Sequence, residues 1–294
     1  MHDVVIIGAG PAGLTAASYL GRFLRPTLLI DGGASRARWI PESHNIPGFP
    51  QGIVGQQLLV SLRQQAVKYG TTIHDGEVHD IKSQDGHFEL NLGTEQVSSR
   101  YVVLATGVKD HLPNLRGADE ALSRSLLRVC PICDGYESAG TRIAVIGDSD
   151  RAEGEAQFLK TYSDRVALID ISKFPDTARR HRLEAHAIEY LQANLEDLSI
   201  EENDLRLQQA NGESRTFDYF YTALGCSPRN ELAAALGTQF DKNHALIVDA
   251  HQQTSVERLY AAGDMVRGLN QVVVAAAEAA IAATAIHNRL RNAS

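Results

Sequence analysis

The run Val4-Val5-Ile6-Ile7-Gly8-Ala9-Gly10-Pro11-Ala12-Gly13 constrains the fold more than any other stretch of this chain. Four apolar residues lead straight into G-x-G-x-x-G and then into a helical pattern, which reads as the first strand, turn and helix of a βαβ unit. Each glycine has a physical task. Gly8 permits the tight turn, Gly10 lets a pyrophosphate approach the backbone, and Gly13 lets the helix pack closely on the strand. Pro11 and Ala12 open the helix, whose first amides face the anion. Asp31 follows at the end of the apolar strand Leu28-Leu29-Ile30, where an acidic side chain hydrogen-bonds a ribose. The motif signals a dinucleotide and leaves open which one.

A second start of the same kind lies at Arg142-Ile143-Ala144-Val145-Ile146-Gly147. Patterning predicts strands at 3–7, 27–31, 72–74, 77–82, 87–92, 100–105 and 166–170, and helices at 11–22 and 55–69. The second strand–turn–helix runs from 143 to 160. A short apolar strand is expected after Leu246, another at Leu259–Ala262, and a long Ala-rich helix at the end. Two βαβ starts on 294 residues imply an α/β chain of two Rossmann-like domains with mainly parallel sheets.

The formal net charge of -8 argues against non-specific binding to nucleic acid or an anionic membrane surface. A local basic patch around Arg124, Arg128, Arg179, Arg180 and Arg182 stays open. The most apolar stretch, Val272 to Ile286, is broken by Glu278 and Thr284 and is too short to span a bilayer. No charged leader or cleavage site precedes the first strand, so the cytosol is the expected compartment. Three cysteines are too few for a disulfide framework, but Cys130 and Cys133 form a C-x-x-C, which in a reducing compartment points to redox chemistry or a metal. Zinc normally takes four ligands, and Cys226 stands alone, so no metal site is expected.

Three segments carry a family resemblance. Leu104-Ala105-Thr106-Gly107 is similar to the A-T-G segment of flavoprotein reductases, and Tyr260-Ala261-Ala262-Gly263-Asp264 to their second FAD segment. Val129-Cys130-Pro131-Ile132-Cys133-Asp134-Gly135 resembles the C-x-x-C-D-G site of low-molecular-weight thioredoxin reductases, and the motifs occur in that family's order from about residue 3 to 290. The resemblance implies FAD, with Asp264 at its ribityl and phosphate region, the helix start at Gln271 and Val272 near its pyrimidine end, and Asn45 touching the ring. It implies that Cys133 exchanges electrons with the flavin, that Cys130 attacks a partner disulfide, and that Asp134 is the acid/base. It further implies a homodimer, thioredoxin or a small disulfide as partner, and a discontinuous FAD domain, 1–112 and 226–294, around a central domain, 113–225.

The second nucleotide motif departs from the family. Gly147-Asp148-Ser149-Asp150-Arg151-Ala152 stands where G-x-G-x-x-A is expected, so Ser149 replaces the glycine of closest approach and two carboxylates face the phosphates. The histidine and arginines that hold an NADPH 2′-phosphate after the next strand are replaced by Asp170-Ile171-Ser172-Lys173. NADPH is therefore not expected as donor. Asp170 is suited to a free 2′-hydroxyl, as in NADH. The open alternatives are weak NADH binding, a scaffold whose flavin a protein such as ferredoxin reduces, a second flavin or other nucleotide, a dithiol oxidase passing electrons to oxygen, and a non-catalytic redox sensor.

Overall fold

The computed structural model describes residues 1–209 and 211–292, so the last two residues of the expected FAD segment lie outside the described residues. The chain opens as read: β1 (His2–Ile7), α1 (Pro11–Arg22) and β2 (Thr27–Asp31), then α2 (Gly55–Lys68), β3 (Thr72–Asp75), β4 (Asp80–Gln84), β5 (His87–Asn91) and β6 (Gln96–Leu104). A central segment follows: β7 (Val108–Asp110), α3 (Ala118–Ser123), β8 (Leu127–Arg128), α4 (Pro131–Asp134), β9 (Ile143–Gly147), α5 (Asp150–Leu159), β10 (Val166–Asp170), α6 (Thr177–Ala185) and β11 (Glu189–Gln192). It continues through β12 (Leu198–Ile200), β13 (Leu205–Gln208), β14 (Ser214–Phe217), β15 (Tyr219–Thr222) and β16 (Cys226–Pro228). The chain closes with α7 (Glu231–Ala235), β17 (Leu259–Ala261) and α8 (Val272–Asn292).

These elements divide into two compact units. The first comprises Met1–Glu42, Ile46–Lys109 and the chain from Ser227 on; the second comprises Asp110–Cys226 together with Ser43–Asn45. In the first unit the sheet runs β3-β2-β1-β6-β5-β4, with β17 also pairing β6. The pairs joining β3, β2, β1, β6 and β17 are parallel, and β4-β5-β6 is antiparallel. Alternation along β1 sends Val4 and Ile6 to one core and Val5 and Ile7 to the other, which is why the strand reads as an unbroken apolar run. The alanines of α8 have a packing reason: Ala275, Ala279, Ala282 and Ala283 share a core with Ala12, Ala16 and Ala17 of α1.

The second unit carries its own parallel sheet, β11-β10-β9-β15-β8, and a separate antiparallel sheet, β12-β13-β14, which the periodicity did not predict. Ala144, Ile146, Ala167 and Ile169 face one core; Ile143, Val145, Val166 and Leu168 face the other. One expected element is absent. Around Leu246 there are only isolated bridges, Phe240–Leu246 and Leu246–Val266, because the short apolar run is clamped between Asx-type turns at Asp241 and Asp249.

Candidate functional site

On the first unit the β1–α1 turn gathers the glycine motif. Gly8 has φ +109°, and a Cβ there would lie 2.3 Å from the Ala105 carbonyl oxygen. A Cβ on Gly13 would lie 1.8 Å from the Gly8 carbonyl oxygen, so the fold itself forbids a side chain at both positions. Gly10 differs: its Cβ would meet only Ser35 Oγ, at 3.4 Å. A glycine where the protein has room for a methyl leaves open backbone for a ligand to approach. The adjoining helix end is bare. Gly10 caps α1 without a side chain, no acidic residue stands in its first turn, and Pro11 opens the helix. The Ser35 hydroxyl beside Gly10 is buried with no hydrogen-bond partner among the described residues. Free amides, a positive helix end and an orphaned hydroxyl fit the pyrophosphate of FAD.

Two of the other FAD-like segments touch the same turn, Ala105 at Gly8 and Gly263 at Ala12. Gly263 has φ +87°, its Cβ would lie 3.1 Å from the Cβ of Ala12, and its N–H donates to Glu278 Oε2 at 2.7 Å. Burial pushes the Glu278 carboxyl up. Asp264 pairs with Arg36 at 3.1 Å. The Ala105-Thr106-Gly107 corner is tied to Arg229: Thr106 Oγ1 donates to the Arg229 carbonyl at 2.7 Å, and the Arg229 amide donates to Gly107 O at 2.9 Å. Asp31, at the end of β2, accepts from the Gly33 amide at 2.8 Å and from Arg63 at 2.7 Å. The Gln271 carbonyl accepts from the Ala275 amide at 2.9 Å, starting α8, and Val272 packs on Ile46, Ile53 and Leu58. Asn45 is exposed, accepts from Ser43 Oγ at 2.9 Å, and groups with the second unit. Ser35, Arg36 and Arg63 were not singled out from the sequence, and Glu278 was noted only as the charge that breaks the apolar stretch Val272 to Ile286.

On the second unit Cys130 and Cys133 are joined as a disulfide, with Cα atoms 5.3 Å apart. Cys130 caps α4, Pro131 takes its first position, and the Cys133 amide donates to the Cys130 carbonyl at 2.9 Å. Asp134 closes this short helix. The Tyr221 hydroxyl donates to Asp134 Oδ1 at 3.0 Å, and Arg128 Nη1 donates to the Asp134 carbonyl at 2.6 Å and lies 3.9 Å from the carboxylate. Burial pushes the Asp134 carboxyl up to about 6, against the pull of Arg128 and Tyr221. A carboxyl titrating near neutrality can give and take a proton beside a dithiol. Neither Arg128 nor Tyr221 was singled out for the site; the local hint was one charged residue inside Leu126-Leu127-Arg128-Val129.

The second βαβ turn has a different character. Asp150 and Glu153 occupy the first turn of α5, where a dinucleotide phosphate would meet the helix end. Asp170 is fully buried: Oδ1 accepts from the Ser172 amide at 2.8 Å, and Oδ2 accepts from Tyr190 at 2.8 Å and Arg179 at 3.2 Å. Burial would raise this carboxyl, but those bonds outweigh it and hold it below its ordinary value. The expectation that Asp170 serves a ribose hydroxyl therefore meets a carboxylate already enclosed by its own chain. Arg179, also buried, lies within 4.0 Å of Asp150, Glu153, Asp170 and Asp176, and Arg182 grips Glu153 at 2.6 and 2.8 Å. These arginines, with Arg180 on Glu184 and Arg128 buried, form no free basic patch.

Among the described residues no three His, Cys, Asp or Glu side chains gather as metal ligands, and no helix is long and apolar enough to cross a membrane. The family profile described as pyridine nucleotide-disulphide oxidoreductase matches residues 2–279. The thioredoxin reductase of Treponema pallidum is 30% identical over 97% of this chain and 95% of its own length. That of Mycolicibacterium smegmatis is also 30% identical, over 97% of this chain and 94% of its own. The solved structure of HlmI aligns with a TM-score of 0.89 at 30% identity, covering 99% of this chain and 93% of the other. With an FAD-type cradle on one unit and a C-x-x-C disulfide on the other, the chain belongs to the pyridine nucleotide-disulphide oxidoreductase family, as a thioredoxin reductase-like flavoprotein.

Proposed function

We propose that this protein passes electrons between FAD and a dithiol/disulfide partner through Cys130 and Cys133, without NADPH as donor. One contrast carries this reading. The helix end of α1 is bare beside an orphaned hydroxyl, whereas that of α5 carries two carboxylates, and Arg179 and Arg182 of α6 are paired with carboxylates of this chain. Gly8, Gly10, Gly13, Ser35, Asp31, Gly263 and Asp264 would hold the FAD, with Ala105, Thr106, Gly107, Gln271 and Val272 beside it and Asn45 at its ring. FAD supplies two-electron exchange with a dithiol.

The chain's own residues account for the thiol chemistry. In the reducing direction the Cys130 thiolate attacks the partner disulfide, forming a mixed disulfide and releasing one partner thiolate. The Cys133 thiolate then attacks Cys130 Sγ, reforming the Cys130–Cys133 disulfide and releasing the second partner thiolate. Asp134 gives its proton to a departing thiolate and regains one when the pair is next reduced. The partner is a thioredoxin-like protein or a small disulfide, as the names of the Treponema and Mycolicibacterium relatives suggest. A homodimer in the cytosol fits the same resemblance.

An anaerobic titration of the yellow protein tests the donor, following flavin absorbance near about 450 nm. NADPH at micromolar concentration is expected to leave the band unchanged, and a dithiol to bleach it. Rapid bleaching by NADPH overturns the reading. Bleaching by NADH identifies an NADH-dependent reductase. Bleaching by dithiol alone leaves a protein donor such as ferredoxin, or the reverse reaction with oxygen as acceptor, and oxygen consumption with dithiol separates these. No turnover with any thiol or disulfide would favour a redox sensor.

A further inference from the structure

Arg128 is 5% exposed and follows two leucines in a two-residue strand, so its charge needs partners from within the fold. Nε donates to the Ser125 carbonyl at 3.1 Å, and the guanidinium stacks 3.9 Å above the Tyr219 ring. Nη1 donates to the Asp134 carbonyl at 2.6 Å, one of the last carbonyls of α4, which the helix itself leaves unpaired. Nη1 also lies 3.2 Å from the Tyr221 oxygen. A guanidinium can only donate, so the phenol must accept there and turn its own proton elsewhere. Its acceptors are both on Asp134, the Oδ1 carboxylate oxygen at 3.0 Å and the carbonyl oxygen at 3.2 Å, and the carboxylate is the nearer and the charged one.

The result is a directed chain, guanidinium to phenol to carboxylate, ending on the residue after Cys133. We infer that Tyr221 and Arg128 are positioning residues that hold the Asp134 carboxyl as the proton store of the Cys130–Cys133 pair. The inference rests on the reading of Asp134 as acid/base. A purely structural role for Arg128 would be met by its stacking and its two carbonyls; it would not need the phenol aimed at a carboxylate.

The charged and titratable groups facing Asp134 are Arg128 from β8, Tyr221 from β15 and Glu137 from the following turn, with Ser138 Oγ 3.5 Å from the phenol. Burial and Glu137 push the carboxyl up; Arg128 and the Tyr221 hydrogen bond pull it down. Tyr221 is itself fully buried and pushed far above its ordinary value, chiefly by that burial, so it stays a neutral donor.

The test is Tyr221→Phe, which keeps the ring and removes the donor, compared with Asp134→Asn. Two readouts are taken on the FAD-loaded protein. One is the pH dependence of single-turnover flavin bleaching by dithiothreitol. The other is infrared titration of the carboxylic C=O band in the disulfide form, assigned by its loss in Asp134→Asn. In the parent both should report a group near about 6, and in Tyr221→Phe both should move up by about one pH unit. A rate limb that survives Asp134→Asn overturns the acid/base reading and this inference with it. A limb lost in Asp134→Asn but unmoved in Tyr221→Phe, with the infrared titration also unmoved, overturns this inference alone.

Discussion

Replacing Asp134 by Asn should make the protein more stable at neutral pH and nearly no different at pH 4. The reasoning is linkage. The folded carboxyl is raised from 3.8 to about 6, so between those values the folded state keeps a proton that the unfolded chain releases. Stability therefore falls as pH rises through this window, and the full cost is carried above about pH 6. The shift of roughly two units, at 1.36 kcal/mol each, bounds that cost at about 3 kcal/mol. The side chain is 28% exposed and solvent screens part of the effect, so about 1–2 kcal/mol is the working figure. Asn has the same shape, still accepts from Tyr221 and never ionises. The assay is calorimetric melting of both oxidised proteins at pH 4 and pH 7.5, at matched scan rate because a two-unit chain need not melt in one step. At ~2 °C per kcal/mol for a chain of this size, Asn should melt about 2–4 °C above the parent at pH 7.5 and within about 1 °C of it at pH 4. Dithiol turnover should fall in the same variant, the familiar conflict between a strained site and stability. A stability difference that does not grow between the two pH values refutes the argument.

The glycines of the first turn should separate folding from cofactor binding. Gly13→Ala, with its methyl 1.8 Å from the Gly8 oxygen, should lose about 3 kcal/mol or more in urea unfolding. Gly10→Ala should change apoprotein stability by less than ~1 kcal/mol yet weaken FAD binding about tenfold, read by fluorescence titration of released FAD. Arg179→Met should cost about 3–5 kcal/mol at pH 7 by leaving the fully buried Asp170 without its cation. Because Asp170 is held below its ordinary value, its stabilisation is complete above the unfolded value and is lost as pH falls through the folded one. The difference from the parent, measured by urea midpoints, should therefore shrink toward pH 3.

What the sequence disclosed and what it hid follow from the range of the interactions. Gly13 was legible because its constraint is steric and local, a backbone contact with Gly8 inside one strand–turn–helix; Gly8 was legible through the positive φ of the same turn, although its close contact is with the distant Ala105. The departure of the second turn from the glycine motif was legible because it too is local: Ser149 and its acidic flanks lie within six residues. The fate of Asp170 was not. Its spacing fits a ribose ligand, and only the placement of α6 and β11 shows Arg179 and Tyr190 closing over it. Tyr221 lies 87 residues from Asp134, and no local pattern joins them; the parallel register of β15 with β8, which sets Tyr221 beside Arg128, makes the contact. The two βαβ starts thus answer one electrostatic problem in opposite ways. A helix N-terminus attracts negative charge; α1 carries no acidic residue in its first turn, while α5 carries Asp150 and Glu153 there. Carboxylates already standing at the second helix end oppose a dinucleotide phosphate there, and that opposition is the physical ground for the proposal that the donor is not NADPH.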